Sequence, residues 1–299
     1  MHMKLVLTFA AAFASTLITG CASTTSTTPE VAGCITTTQA EEMAKRYAAL
    51  EPLPNPDAAM TMEQARCGAA KFAQAMTATQ GKIVGYKAGL TNAAVQQRFN
   101  TPHPLAGPMF EKTFLQDGAK VPAKFGARPL FEADLVVEVG DAAINNAKDI
   151  YEVHKSISKI YPFIELPDFM VQDPSKLGGP QVQMVNIGPR LGVLGKAFNV
   201  AGDKAAIDSL ATMTVKLLDA DGKAFDEGKG AAILNHPYNA VIWLAGEMKS
   251  RGIVLKKGDL LSLGSFTKLH PPKPGMTVKA VYEGLSGIST PPSATVSFQ

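Results

Sequence analysis

The chain predicts an α+β fold, with helices first and a strand-rich body after them. Helix-start signals fall early: Thr38 lies three residues before Glu41, and Thr61 three residues before Gln64, the spacing of a capping box. From Phe114 onward, short apolar runs alternate with turn residues, the pattern of strands. The 299 residues are 46% hydrophobic, enough for one large core or two modest ones.

The N-terminus reads as a processing segment. Met1 to Lys4 is a charged start, and Leu5 to Ile18 is apolar but short of the roughly 20 residues that span a bilayer. Leu17-Ile18-Thr19-Gly20-Cys21 resembles a bacterial lipobox, in which the cysteine is lipidated and becomes the N-terminus. A plain secretory signal with an incidental cysteine is the alternative. Residues 1–21 are therefore expected to be a lipoprotein signal, with acyl chains on Cys21 tying the protein to a membrane. Ala22 suits the outer membrane, by resemblance to lipoprotein sorting patterns, with the protein facing the periplasm. Residues 22–36 are rich in Ser and Thr, poor in apolar side chains, and read as a flexible tether. Residues 37–299 are expected to form a single catalytic domain. In an oxidising envelope Cys34 and Cys67 could pair; equally, they could stay apart as small buried side chains.

The first helix is expected from Thr38 to about Leu50, broken by Pro52, Pro54 and Pro56. The second opens at Thr61, runs to about Thr79 and stops at Gly81, with Ala65, Ala69, Phe72, Ala73 and Met76 on its apolar face. Lys82 to Lys87 is a short strand, and Thr91 or Asn92 caps a helix from Ala93 to Phe99. Thr101 to Pro108 is a Pro/Gly-rich loop. Ile150, Val153, Ile157 and Ile160 share one face of a helix expected from about Ala147 to Tyr161. Asp168 to Gln181 reads as a loop over the site, and Met184 to Gly195 as a strand pair. Met213–Leu218, Leu260–Leu263 and Thr277–Tyr282 read as strands, and Pro237–Met248 as a helix with Trp243 and Leu244 inward.

Several function classes drop out. The net charge is +3, with Lys and Arg scattered and no basic stripe, so nucleic acid is not an expected partner. No zinc spacing occurs, and neither Gly-x-Ser-x-Gly nor a phosphate-cradling glycine loop is present. His154 and His236 fall inside helical patterns and read as structural.

The chemistry gathers at Phe131-Glu132-Ala133-Asp134-Leu135-Val136-Val137-Glu138-Val139. Alternation puts Phe131, Ala133, Leu135, Val137 and Val139 on one face of a strand, and Glu132, Asp134, Val136 and Glu138 on the other. A charged strand face is often merely solvated, and Glu138 fits that reading. Glu165 does not: it is the only charge between Lys159 and Asp168, in a run that looks like core, and buried charges need a partner or a metal. Two carboxylates one pleat apart repel each other, and a hard divalent cation offsets that best. Glu132, Asp134 and Glu165 are therefore the candidate ligands of one Mg²⁺ or Mn²⁺.

Gly85-Tyr86-Lys87-Ala88-Gly89-Leu90-Thr91 resembles the Gly-aromatic/His-Lys-x-Gly-Leu-Thr segment of the 2-keto-4-pentenoate hydratase and 4-oxalocrotonate decarboxylase group, within the fumarylacetoacetate hydrolase superfamily. Phe131 to Asp134 resembles that group's Glu-x-Glu metal strand, and Phe163-Ile164-Glu165 the strand giving a third ligand. Asn235 to Leu244 and Gly258 to Ser265 resemble its C-terminal signature. The resemblance runs from about Thr61 to Phe298. It implies a mixed β-sandwich roll with N-terminal and peripheral helices, often in homo-oligomers. It also implies Mg²⁺ or Mn²⁺ bound by three acids and chelating a small 2-oxo carboxylate, so that the ion stabilises an enolate. Lys87 would bind the substrate carboxylate or donate a proton. Ser265 could hydrogen-bond the substrate, or serve only as a turn residue. Four places depart from the group, one of them Leu263, which stands where a Thr is common before Gly-Ser. Asp134 is one CH₂ shorter than the usual Glu. Leu105 falls where hydratases carry a loop acid near the substrate, and Val185-Asn186-Ile187-Gly188 replaces a more polar stretch. Hydration is the expected reaction, because the group favours it. Decarboxylation, which needs less acid–base help, is the alternative that Leu105 favours. A non-catalytic envelope lipoprotein that binds a small acid is a third reading.

Overall fold

Two helices lead the chain. α1 (Thr37–Ala48) opens on a reciprocal cap between Thr36 and Gln39, two residues ahead of the expected one. α2 (Met62–Gln80) opens on the Thr61–Gln64 cap and ends at Gly81, whose φ of 80° only glycine adopts without strain. The computed structural model describes residues 31–299, which form one compact unit. The signal segment, Cys21 and the tether up to residue 30 lie outside the described residues. Cys34 and Cys67 form a disulfide that ties the start of the described chain to α2.

β1 (Ile83–Gly89), α3 (Ala93–Arg98), β2 (Leu105–Phe110), β3 (Phe114–Gln116), β4 (Ala119–Val121) and β5 (Glu132–Val139) follow. Next come α4 (Ile150–Lys155), β6 (Ile157–Leu166), α5 (Gly179–Met184), β7 (Leu191–Leu194) and α6 (Lys204–Thr212). The chain closes with β8 (Thr214–Leu218), β9 (Ala224–Lys229), α7 (Pro237–Ser250), β10 (Leu260–Ser262), β11 (Thr277–Glu283) and β12 (Ser293–Phe298). This is a mixed helix-and-sheet fold. One sheet has the order β2-β1-β10-β5-β6-β7-β3, the other β4-β12-β11-β8-β9. β10, late in sequence, slots between β1 and β5, parallel to the first and antiparallel to the second. That insertion needs Gly85: a Cβ there would sit 1.9 Å from the Leu260 carbonyl oxygen.

Phe131, Ala133, Leu135, Val137 and Val139 are all buried in a core that also takes residues from β8, β11, β12 and α7, so it joins both sheets. Each large apolar side chain buried there stabilises the fold by roughly 1.5–3 kcal/mol. Tyr282 ties β11 to the first sheet: its buried hydroxyl bonds the Asp134 carbonyl oxygen and, at 3.1 Å each, the Phe163 N–H and carbonyl oxygen. A second cluster packs α1, α2 and α5 around Phe72, Met76, Phe110 and Met170.

Three expectations change. The loop foreseen over Thr101 to Pro108 ends at Leu105, where β2 begins and pairs with β1. The helix foreseen to Tyr161 ends at Lys155, and Ile157 opens β6 instead. Ile157 and Ile160 pair across to Val139 and Val137 of β5, and β-branched side chains suit that pleated surface better than a helix. The strand pair foreseen over 184–195 is α5, a tight turn and the single strand β7. Asn186, Ile187 and Gly188 in that turn have φ of 53°, 59° and 58°, three consecutive left-handed residues that no strand contains.

Candidate active site

The registers of the first sheet assemble the site. Glu132 of β5 lies directly across from Glu165 of β6. Lys87 of β1 lies across from Ser262 of β10, which lies across from Val136 of β5. Because side chains alternate, Lys87, Ser262, Asp134, Glu132 and Glu165 all project from one face of the sheet. On that face is a cavity of about 680 Å³, with Lys87, Glu132, Glu165 and Ser265 in its lining. Leu90, Phe169, Ile187 and Phe266 supply apolar wall, while Arg98 and Lys268 bring positive charge to its lining.

Lys87 is only 3% exposed. Its ammonium pairs with the Glu165 carboxylate and donates to the Ile187 carbonyl oxygen at 3.1 Å. The left-handed turn aims that carbonyl, and the buried Asn186 amide holds the turn by donating to the Ala69 carbonyl oxygen at 3.0 Å. A β-branched residue at φ of 59° is strained, and such strain persists where surrounding structure enforces it. Glu132 keeps part of its surface open to the cavity, whose lining it shares with Ser265; the Ser265 hydroxyl donates to the Thr267 carbonyl oxygen at 2.6 Å. Burial, and then the charge of Glu165, push its pKa well above the usual carboxylate range, although Ser265 and Lys87 oppose this. Burial and Glu165 also raise Asp134, to about 8, against hydrogen bonds from Ser262 and Leu135.

Asp134 is fully buried but does not line the cavity. Ser262 Oγ donates to its Oδ2 at 2.5 Å, and the N–H groups of Leu263 and Gly264 donate to its Oδ1 at 3.2 and 3.0 Å. Among the described residues, no three His, Cys, Asp or Glu side chains gather as a cage for a metal ion. Of the three acids singled out in the sequence, two face the cavity together and the third faces a turn.

Leu105 also departs from its expected place. It opens β2 opposite Gly89, and its side chain is buried in the second core cluster rather than in the cavity lining. Lys87, Ser265, Glu132 and Glu165 do line the cavity. Sequence reasoning missed the Ile187 carbonyl and Arg98. Asn186 and Gly188, both of types that tolerate a left-handed backbone, were the available signal for the turn. Asp226 in the cavity lining was missed too. It accepts from His270 Nε2 at 2.7 Å and from the Lys268 N–H at 3.0 Å.

No family model matches the chain. Over 264 residues it is 25% identical to a 2-oxo-hept-4-ene-1,7-dioate hydratase of Escherichia coli, covering 84% of this chain and 93% of the relative. Over 209 residues it is 26% identical to a 2-keto-4-pentenoate hydratase of Paraburkholderia xenovorans, covering 70% and 76%. A 4-oxalocrotonate decarboxylase of Pseudomonas putida is 25% identical over 209 residues, again 70% and 76%. The structure of 4-oxalocrotonate decarboxylase from Pseudomonas putida G7, complexed with magnesium and adipate, superposes with a TM-score of 0.73 at 22% identity, over 89% of this chain and 99% of that one. The curated homologues of this chain are thus 2-keto-4-pentenoate hydratases and 4-oxalocrotonate decarboxylases, and its fold is that of the decarboxylase.

Proposed function

We propose that the protein is a divalent-metal-dependent lyase acting on a small 2-oxo or 2-hydroxydienoate acid, in the manner of a 2-keto-4-pentenoate hydratase. One observation carries this reading: a buried lysine and two cross-strand glutamates share the floor of a substrate-sized cavity. The donor set suits Mg²⁺ or Mn²⁺, since both glutamates offer hard oxygens. Two carboxylates and one ammonium leave those three groups with a net charge of −1 when all are ionised. A divalent ion turns the balance positive, as an anionic substrate requires. Glu132 and Glu165 would hold the ion, whereas Asp134, as it stands, has its oxygens on Ser262 and the following turn.

When bound, the ion supplies a Lewis acid that polarises the 2-oxo group. Lys87 binds the substrate carboxylate or donates a proton from Nζ, its ammonium oriented by the Ile187 carbonyl. Ser265 offers its hydroxyl oxygen to the substrate from the cavity lining. Phe169, Ile187 and Phe266 exclude water from the floor. Decarboxylation is the second reading, favoured by the position of Leu105 in the core, which leaves β2 offering no acid to the cavity. The test is the ultraviolet decay of 2-hydroxypenta-2,4-dienoate with purified protein and Mn²⁺. Decay that EDTA abolishes supports the lyase, and CO₂ release from 4-oxalocrotonate identifies the decarboxylase. Bound Mn²⁺ without turnover on either acid leaves a binding protein.

We read the two sheets as the rolled β-sandwich of the superfamily that the sequence resembles. Lipid attachment at Cys21, an outer-membrane address facing the periplasm and a homo-oligomeric state complete the proposal. They are supported by the lipobox-like segment and by the family resemblance. Radiolabelled palmitate incorporation lost in C21S tests the anchor, and light scattering of the purified protein tests the assembly.

A further inference from the structure

We propose that Asp134 is a positioning residue that latches the turn from Ser262 to Ser265, and that of the three acids Glu132, Asp134 and Glu165 it is the two glutamates that hold the divalent ion. The inference rests on the metal-site reading above and changes its ligand set.

Asp134 and Glu132 leave the same face of β5, so the strand pattern alone sends both carboxylates to one place. Side-chain length and the available donors separate them. Three donors reach Asp134 from one short stretch: the Ser262 hydroxyl and the N–H groups of Leu263 and Gly264, with the Leu135 N–H as a fourth. That stretch leads directly from β10 to Ser265. Its backbone is demanding: Gly264 has φ of 109°, and a Cβ there would meet Thr91 Oγ1 at 2.2 Å. The turn delivers Ser265 to the cavity that Glu132 also lines, with the Ser265 hydroxyl held on the Thr267 carbonyl oxygen at 2.6 Å. A carboxylate that faces away from the cavity thus sets the place of a side chain that lines it. For Asp134 to ligate, it would have to drop the bonds from Ser262 and Gly264. Buried groups left without an acceptor carry their full desolvation penalty.

Calorimetric titration of the whole protein with Mn²⁺ alone, alongside thermal unfolding, tests this. E132Q and E165Q are expected to weaken Mn²⁺ binding at least tenfold. D134N, which keeps an oxygen for the Leu263 and Gly264 N–H groups, is expected to stay within about threefold of wild type and within about 2 °C in Tm. D134A is expected to lower Tm by roughly 5–10 °C, consistent with losing several buried hydrogen bonds. S262A removes one latch bond without touching the carboxylate and is expected to leave Mn²⁺ affinity unchanged, whereas tighter binding would mark Asp134 as a ligand in waiting. D134A is also expected to lower kcat in the wild-type background and to add nothing in S265A, since both act through one hydroxyl. A tenfold loss of Mn²⁺ affinity in D134N, or additive losses of kcat, overturns the latch. If wild type binds no Mn²⁺, the metal reading fails by itself. The latch is then judged on Tm alone: D134A low with D134N restored supports it, and D134N as unstable as D134A overturns it.

Discussion

Glu132 and Glu138 project from the same face of β5, yet their surroundings are opposite. Across from Glu132 stands Glu165, and across from Glu138 stands Lys159. Glu138 accepts from Ser158 and Tyr161 at 2.8 Å each and pairs with Lys159 at 3.2 Å. Burial is the largest single influence and opposes its charge, but those three partners together outweigh it and hold its pKa below the usual value. Glu132 sits on the cavity floor facing another acid, and burial and then that neighbouring charge raise its pKa. The strand pattern is the same at both ends. What differs is the cross-strand residue and the depth, and these turn one end into a solvated salt bridge and the other into a site that a cation would relieve.

The largest test of that contrast is the one cation already at the deep end. K87M leaves Glu165 buried without its partner, and removing one member of a buried pair costs about 3–5 kcal/mol. Urea denaturation of K87M is expected to show that loss, and turnover is expected to fall at least 100-fold. The double variant K87M/E165Q is expected to recover the stability but not the turnover. Recovery of both would show that the pair is only structural.

The pH dependence separates the two ends by sign. Where folding raises an acid's pKa, the folded state holds the proton more tightly, so stability is fully present below the unfolded value and is lost as pH rises through the folded one. For Asp134 that window runs from 3.8 to about 8, and Glu132 adds in the same direction. Glu138 acts oppositely: its lowered pKa contributes stability above its ordinary 4.5, lost as pH falls through the folded value. EDTA-treated protein is expected to lose Tm between pH 5 and 8, and E132Q to flatten that slope. Added Mn²⁺ is expected to reverse the slope, since an ion binds only the deprotonated carboxylates.

The smallest effect is expected at the solvated end. E138Q is expected to change stability by about 1 kcal/mol or less, the range of surface ion pairs, and to leave Mn²⁺ affinity and turnover untouched. A loss of metal binding in E138Q would show that the two ends of β5 are coupled.

Much of the fold was written locally. Thr61, Gln64 and Gly81 bound α2 as their types require, Asn92 caps α3, and alternating apolar residues put the inward face of β5 in the core. The helix expected through Ile157 and Ile160 failed because their spacing fits both periods. Pairing with Val139 and Val137, distant in sequence, decided for the strand. The turn at Asn186 to Gly188 was hidden in an apolar run, since packing of α5 on α2 enforces a backbone that Ile187 does not choose by itself.

The sequence by itself determined which residue types meet at the site: the acids of one strand face, the lone acid in an apolar run and the lysine of the Gly-Tyr-Lys segment. Short-range rules govern a strand face, so its contents can be read from alternation. The tertiary structure decided which of those acids open onto the cavity. β10 enters between β1 and β5 from far along the chain and brings the Ser262 hydroxyl and the Leu263 and Gly264 N–H groups to Asp134. Hydrogen-bond partners so remote in sequence leave no local trace, and they turned one carboxylate of the pair away from the other.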